Sequence, residues 1–180
     1  PFVEGFIHTP ANDLEAFKHL LDSNETICAV MLEPIQGEGG VMPLDKDFVE
    51  GVAKLAQAKD ILVLVDEVQT GNGRTGKVYG YMNYQISPDI VSTAKGLAGG
   101  LPMGATMFNE KTEAVLGAGN HASTFGGNPI CAAGAVTIMD RLTDELLASV
   151  VAKGDYIKKE LEGAPGVKSL SGFGLMLGIE

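Results

Sequence analysis

The sequence is short of cysteine, of cationic side chains and of long apolar runs, and each shortage excludes a class of protein. Its two cysteines, Cys28 and Cys131, both lie in apolar stretches without metal-ligand spacing. We therefore expect two small buried residues and no disulfide, which fits a reducing compartment such as the cytoplasm. The longest apolar runs reach about half of the ~18 residues that cross a bilayer, and no signal-peptide pattern is visible.

Cationic residues are outnumbered, with 13 Lys and Arg against 23 Asp and Glu and a formal net charge of −10. This balance argues against nucleic acid or an anionic membrane as the main partner. A small anionic ligand stays compatible with it, because a local nest of backbone N–H groups binds an anion even on an acidic protein. Glycine is abundant at 24 of 180 residues, and its clusters at 71–76, 96–104 and 126–127 indicate backbone packed closely against a ligand.

Alternating strand and helix patterns predict an α/β fold with a mainly parallel sheet. Apolar spacing predicts four helices, over residues 14–21, 45–55, 130–139 and 144–162. The third of these is apolar on all sides and is expected to be buried. Short apolar runs predict six strands, over residues 27–32, 61–65, 90–92, 104–108, 167–170 and 175–179. The loops 33–40, 66–76 and 93–104 each follow a strand, so we expect them to meet at the edge of the sheet where ligands bind.

Residues 71–77 match the G-x-x-x-x-G-K pattern of nucleotide phosphate loops, and the strand before them ends in Asp66 and Glu67. Three features weaken this interpretation. Val78 stands where magnesium needs a hydroxyl ligand, four residues separate the loop from its strand, and no helix pattern follows. A glycine turn is therefore favoured, with a nucleotide-binding protein as the alternative.

A lysine and an aspartate point to different chemistry. Lys95 follows a short strand and precedes several glycines in an otherwise uncharged stretch. In apolar surroundings such a lysine becomes a nucleophilic amine, whereas the commoner alternative is a side chain that extends to solvent. Asp66 ends a buried strand, where it needs a cation or several donors, or caps the next turn. Together they match a pyridoxal phosphate site, which needs an amine for the cofactor and a carboxylate for its pyridine nitrogen.

Five segments complete the pattern, in one order and spacing: EPIQGEGG at 33–40, DEVQTG at 66–71, GRTG at 73–76, STAKGLAGG at 92–100 and STFGGNP at 123–129. With them the chain resembles the class III (ω-amino acid) aminotransferases of the fold-type-I pyridoxal phosphate enzymes, over essentially all 180 residues. The resemblance implies part of a large cofactor-binding domain over residues 1–143, with a mainly parallel sheet flanked by helices. Residues 144–180 would begin the small C-terminal α/β domain.

The resemblance also implies a role for each matched residue. Lys95 would bind pyridoxal 5′-phosphate covalently and then move the proton in an aminotransferase reaction. Asp66 would pair with the pyridine nitrogen. The three residues after it, Glu67, Val68 and Gln69, would complete the cofactor contacts, with Val68 packing on the ring and Gln69 bonding to its oxygen.

Further matched residues concern the substrate and a second subunit. Thr124 resembles a threonine that reaches the cofactor phosphate of the neighbouring subunit, and Ser123 lies where the family contacts substrate, so a homodimer is implied. Glu38 matches a gate glutamate that lets one site accept an amino-acid donor and a 2-oxo acid. For Arg74 a structural ion pair is favoured over a substrate contact. Ser171 stands where many relatives carry arginine.

The two ends of the sequence indicate how much of such an enzyme is present. The chain starts at Pro1 and stops in an apolar strand pattern, so we expect a fragment of a longer protein. The family segments that anchor the cofactor phosphate and the substrate carboxylate are not recognised in it. A non-catalytic scaffold that does not retain the cofactor is therefore the alternative for the isolated chain.

Overall fold

The computed structural model describes residues 3–180 as an α/β structure. Its helices are α1 (Leu14–Ser23), α2 (Lys46–Ala58), α3 (Pro129–Arg141) and α4 (Asp144–Leu161). Its strands are β1 (Ala29–Leu32), β2 (Ile35–Gln36), β3 (Met42–Pro43), β4 (Leu62–Asp66), β5 (Ile90–Thr93), β6 (Ala105–Phe108), β7 (Leu170–Phe173) and β8 (Met176–Ile179). Short 3₁₀ turns lie at Gly80–Asn83, Lys95–Ala98 and Glu113–Val115.

The main sheet has the strand order β1-β4-β5-β6. The pairs β1–β4 and β4–β5 are parallel, and β6 runs antiparallel to β5, so the predicted mainly parallel sheet is confirmed. Two antiparallel pairs, β2–β3 and β7–β8, lie outside it. None of the helices in residues 3–180 combines the length and hydropathy that crossing a bilayer requires.

Helices α1 and α2 cover the sheet because their apolar residues fall on one face. Asp13 Oδ1 accepts a hydrogen bond from the N–H of Ala16 at 2.8 Å, which starts α1 where the cap pattern predicts. Phe17 of α1 and Val52 of α2 then pack into the core with the inward-facing Val63 of β4. This packing fixes β4 at the centre of the sheet and so fixes the loop that leaves its carboxyl end.

Two predictions of burial are wrong. In α3 only Ala135 is buried, while Ile130 is 70 % and Val136 61 % exposed. The reason is that α3 packs along one face only, where Ala135 meets the 3₁₀ turn Lys95–Ala98. Cys28 is exposed, because it precedes the edge strand β1, and Cys131 is half-buried.

The β7–β8 hairpin packs between two loops of the main sheet. Ser171 Oγ donates a hydrogen bond to the carbonyl of Val41 at 2.6 Å, and Leu175 N–H donates to the carbonyl of Arg74 at 3.0 Å. Ser171 therefore ties the hairpin to the loop after β2. The domain boundary between residues 143 and 144 stays a prediction.

The buried Gly154 of α4 leads to a stability prediction. A Cβ there would strike the carbonyl oxygen of Gly174, whereas a Cβ on Gly51 of α2 would meet the flexible end of Leu14 at 2.5 Å. Alanine in a helix interior is otherwise favoured over glycine by about 1 kcal/mol. We expect Gly154→Ala to lower the free energy of unfolding by about 2 kcal/mol or more, because backbone cannot yield as a side chain can.

Urea denaturation of both variants tests this expectation. Gly51→Ala is the matched control and should stay within about 1 kcal/mol of the unchanged protein. Equal stability of the two variants would contradict the packing of α4 on the hairpin.

Candidate active site

The loops that follow β1, β4 and β5 meet at the carboxyl edge of the sheet, as predicted, and surround a cleft of about 510 Å³. Glu38 comes from the first loop, Val68 and Gln69 from the second, and Lys95 from the third. Residues 175–177, at the end of the turn between β7 and β8 and the start of β8, close one side. The cleft therefore collects residues that lie far apart in the chain.

Lys95 lies two residues beyond the end of β5 and begins a 3₁₀ turn. Its Nζ donates a hydrogen bond to Gln69 Oε1 at 2.7 Å, which joins the second and third loops. The side chain is exposed in the cleft, as the second of its two interpretations predicts, although apolar residues such as Val68 and Leu175 line the same cleft. Lys95 has a φ of 49°, in the left-handed region that a residue with a Cβ rarely adopts.

Asp66 ends β4, and its Oδ1 accepts a hydrogen bond from the N–H of Val68 at 2.8 Å. It therefore caps the following turn, as one of its two interpretations predicts. Burial raises the pKa of Glu33, and the Asp66 carboxylate opposes its ionisation further, while Lys95 favours it. Glu33 thus interacts electrostatically with both charges, which the sequence analysis did not anticipate although Glu33 opens the EPIQGEGG segment.

Glu67 is fully buried and does not line the cleft. Its Oε2 accepts hydrogen bonds from Thr70 Oγ1 and from the N–H of Gly80, each at 2.6 Å. Its Oε1 accepts from the N–H of Tyr81 at 2.6 Å. Burial raises the pKa of this carboxyl against the opposing effect of the three donors. This placement corrects the expectation of a cofactor contact, because both oxygens already hold the loop after β4 to the Gly80–Asn83 turn.

The two predicted substrate residues, Glu38 and Ser123, and the predicted cofactor-phosphate contact Thr124 are placed differently. Glu38 is exposed in the loop that follows β2 and lines the cleft. Ser123 and Thr124 are exposed in the connection before α3 and are not among the residues that surround the cleft. Their roles across a subunit interface stay a prediction.

Residues 71–77, which match the phosphate-loop pattern, form turns, as the favoured interpretation predicts. After residues 71–77 the next element is a 3₁₀ turn, Gly80–Asn83, and not the α-helix that a phosphate loop needs. Arg74 forms no ion pair with an acidic side chain of residues 3–180, so the ion pair favoured for it is not formed there. Its backbone holds the turn instead, through the carbonyl that accepts from Leu175.

Comparisons with known protein sequences identify relatives of this chain. A family model described as Aminotransferase class-III matches residues 4–180. The acetylornithine aminotransferase of Haemophilus ducreyi is 49 % identical over 180 residues, which are 100 % of this chain and 46 % of that protein. The acetylornithine aminotransferase of Caldanaerobacter subterraneus is 44 % identical over 185 residues, with 100 % and 46 % covered. The chain thus spans about half the length of the curated relatives that it matches.

Solved structures share the fold. An ornithine aminotransferase from Toxoplasma gondii, with pyridoxal phosphate at partial occupancy in its active site, superposes with a TM-score of 0.89 at 36 % identity, covering 100 % of this chain and 44 % of that one. An acetylornithine aminotransferase from Elizabethkingia anophelis gives 0.87 at 36 % identity, covering 96 % and 47 %. With the family model matched over nearly the whole sequence, the chain belongs to the class III aminotransferases.

Proposed function

We propose that the protein acts in pyridoxal-phosphate-dependent transamination, from N-acetylornithine to 2-oxoglutarate, giving N-acetylglutamate semialdehyde and glutamate in arginine biosynthesis. The observation that carries this proposal is the Lys95 amine, held by Gln69 at the meeting point of three loops. The donor is supported by curated relatives named acetylornithine aminotransferase at 41–49 % identity. Ornithine, 4-aminobutyrate and succinylornithine are the alternative donors, and ornithine has support from structures at 36–39 % identity.

The residues of the cleft fit the ring of pyridoxal phosphate. They provide a primary amine at Lys95, the apolar side chain of Val68 and the amide of Gln69 around a space of about 510 Å³, with the carboxylate of Asp66 at the end of the adjoining strand. When bound, the cofactor supplies an electron-withdrawing ring that stabilises negative charge on the carbon beside the transferred nitrogen.

Each side chain then has a physical task. Lys95 Nζ would be the nucleophile that holds the cofactor, and as a free amine it would be the base that takes and returns a proton. Gln69 Oε1 fixes the position of that amine. Asp66, oriented by the N–H of Val68, would hold a proton on the ring nitrogen by its negative charge.

The remaining assignments belong to the same proposal. Glu38 would pair with a substrate-binding cation and release it when the second substrate enters. Ser123 and Thr124 would act on the site of a second subunit in a homodimer, since the structure leaves both side chains exposed. A cytoplasmic location and a domain boundary at 143/144 stay predictions.

A spectroscopic and mapping experiment tests the proposal on the protein at the full length that its gene encodes. Pyridoxal phosphate is added, the visible spectrum is recorded with each candidate amino donor, and the adduct is reduced with borohydride for peptide mapping. We expect the label on Lys95 and a donor-dependent spectral change that is fastest with N-acetylornithine. A label on other lysines, or magnesium-dependent nucleotide binding without a chromophore, would contradict it, and failure to retain any cofactor would favour a scaffold.

A further inference from the structure

Asn72 lies in segment 71–77, which matches the phosphate-loop pattern, and the proposed function gives it no role. Asn72 and Gly73 both have positive φ, 56° and 84°. The N–H of Arg74 donates to the carbonyl of Gly71 at 3.3 Å and closes the turn. Two consecutive residues with positive φ are the arrangement for which Asn-Gly is the preferred pair.

The amide of Asn72 bonds to the two residues that directly precede Lys95. Its Nδ2 donates to Thr93 Oγ1 at 3.2 Å and to the carbonyl of Ala94 at 3.0 Å. Because a carbonyl oxygen only accepts, the nitrogen of the amide must face Ala94. Thr93 is 2 % exposed, so its hydroxyl needs a partner inside the protein, and Asn72 supplies one.

These bonds act next to a strained residue. With a φ of 49°, Lys95 has a conformation that costs free energy for a residue with a Cβ and persists where its neighbours fix it. The carbonyl of Ala94, one residue before, accepts from both Asn72 Nδ2 and the N–H of Leu97. At the other end of the side chain, Nζ is bound to Gln69. One loop therefore holds Lys95 at its backbone and at its amine.

We propose that Asn72 is a positioning residue for Lys95. It fixes the backbone from which the lysine side chain leaves, and so directs Nζ into the cleft beside Gln69. Asn72 acts through Thr93 and Ala94 and makes no bond to the amine itself. The inference rests on the proposed function, because it takes Lys95 as the group that reacts with pyridoxal phosphate.

Three substitutions separate this role from that of a simple turn residue. Asn72→Gly keeps the positive φ at no steric cost and removes only the amide. Asn72→Asp keeps the side-chain shape and the turn preference, but places an acceptor against the carbonyl of Ala94. Asn12→Gly is the matched control: Asn12 also has a positive φ, 61°, and its Oδ1 accepts from the N–H of Asp45 outside the cleft.

The experiment measures covalent capture in the protein at its full encoded length. Each variant is incubated with pyridoxal phosphate, reduced with cyanoborohydride and digested, and the label on Lys95 is divided by that on the exposed Lys77. This ratio cancels general effects of pH and reagent, and circular dichroism checks that each variant is folded, because unfolding by itself would lower the ratio. We expect it to fall about tenfold in both Asn72 variants, as the loss of two hydrogen bonds implies, and to stay unchanged in Asn12→Gly.

The outcomes distinguish the two ideas. A normal ratio in Asn72→Asp and in Asn72→Gly would overturn the positioning role and leave the proposed function intact. If Asn72→Gly does not fold, the label ratio of Asn72→Asp alone tests the positioning role. Its melting temperature is then compared with that of Asn12→Gly, to confirm that the variant is folded. An unchanged protein that is not labelled on Lys95 would overturn the proposed function, and the inference with it.

Discussion

Replacing Lys95 with alanine is expected to abolish covalent capture of pyridoxal phosphate and to lower the transamination rate by about 10³-fold or more. Lys95 carries the one primary amine among the described residues that surround the cleft. The variant loses both the nucleophile and the base, and the other cleft residues offer no amine to replace it. Gln69 is left without its donor but remains on the surface of the cleft, so folding should be unaffected.

Two further variants separate nucleophilicity from charge. Lys95→Arg keeps a positive charge near Gln69, but its guanidinium stays protonated and cannot act as a nucleophile or base. We expect Lys95→Arg to be as inactive as Lys95→Ala. Lys77→Ala removes an exposed lysine of the neighbouring turn and should retain the unchanged rate within about twofold.

Rapid mixing with an amino donor alone, followed by the visible spectrum, checks these expectations without a contribution from the second substrate. Circular dichroism confirms that each variant is folded. A Lys95→Ala variant that still captured the cofactor covalently would show that another lysine reacts. A Lys95→Arg variant with substantial turnover would show that charge, and not the amine, is what the site needs.

Much of this site follows from local patterns. Parallel strands end at one edge of the sheet, so residues that follow β1, β4 and β5 must come together there. That rule brings Glu38, Gln69 and Lys95 to one cleft from three separated segments, as predicted. The sequence also predicts the helix starts at Asp13 and Asn128, because each cap and the N–H groups that it binds lie within a few residues of each other in the chain.

What the patterns missed depends on contacts between distant segments. The alternation of buried residues along β4 continues into Glu67, which turns inward although the next residue, Val68, lines the cleft. The composition of α3 shows that it is apolar, but only its neighbours decide how much of it is buried. Asn72 looked like part of a glycine turn, since its bonds to Thr93 and Ala94 span more than 20 residues.

Glu67→Ala is expected to lower the free energy of unfolding by about 3–5 kcal/mol. The substitution removes the only partner that Thr70 Oγ1 and the N–H groups of Gly80 and Tyr81 have among the described hydrogen bonds. Each buried donor left without a partner costs about 1–3 kcal/mol, and a cavity is added. Urea denaturation at pH 7 measures the loss, with Glu160→Ala, an exposed residue of α4, as the control within about 0.5 kcal/mol.

Glu67→Gln removes the titrating group and keeps nearly the same shape, although its NH2 group must then face the N–H of Gly80 or of Tyr81. Burial raises the pKa of Glu67 in the folded protein above its ordinary value of 4.5. Between these two pKa values the folded state binds more protons than the unfolded state, so the stability that this group contributes falls as pH rises. This stabilising contribution is fully present below pH 4.5 and is lost as the pH rises through the folded-state pKa. The stability difference between the unchanged protein and Glu67→Gln should therefore be largest in acid and shrink as pH rises. A difference that grows with pH would mean that the three donors outweigh burial and hold the carboxylate ionised.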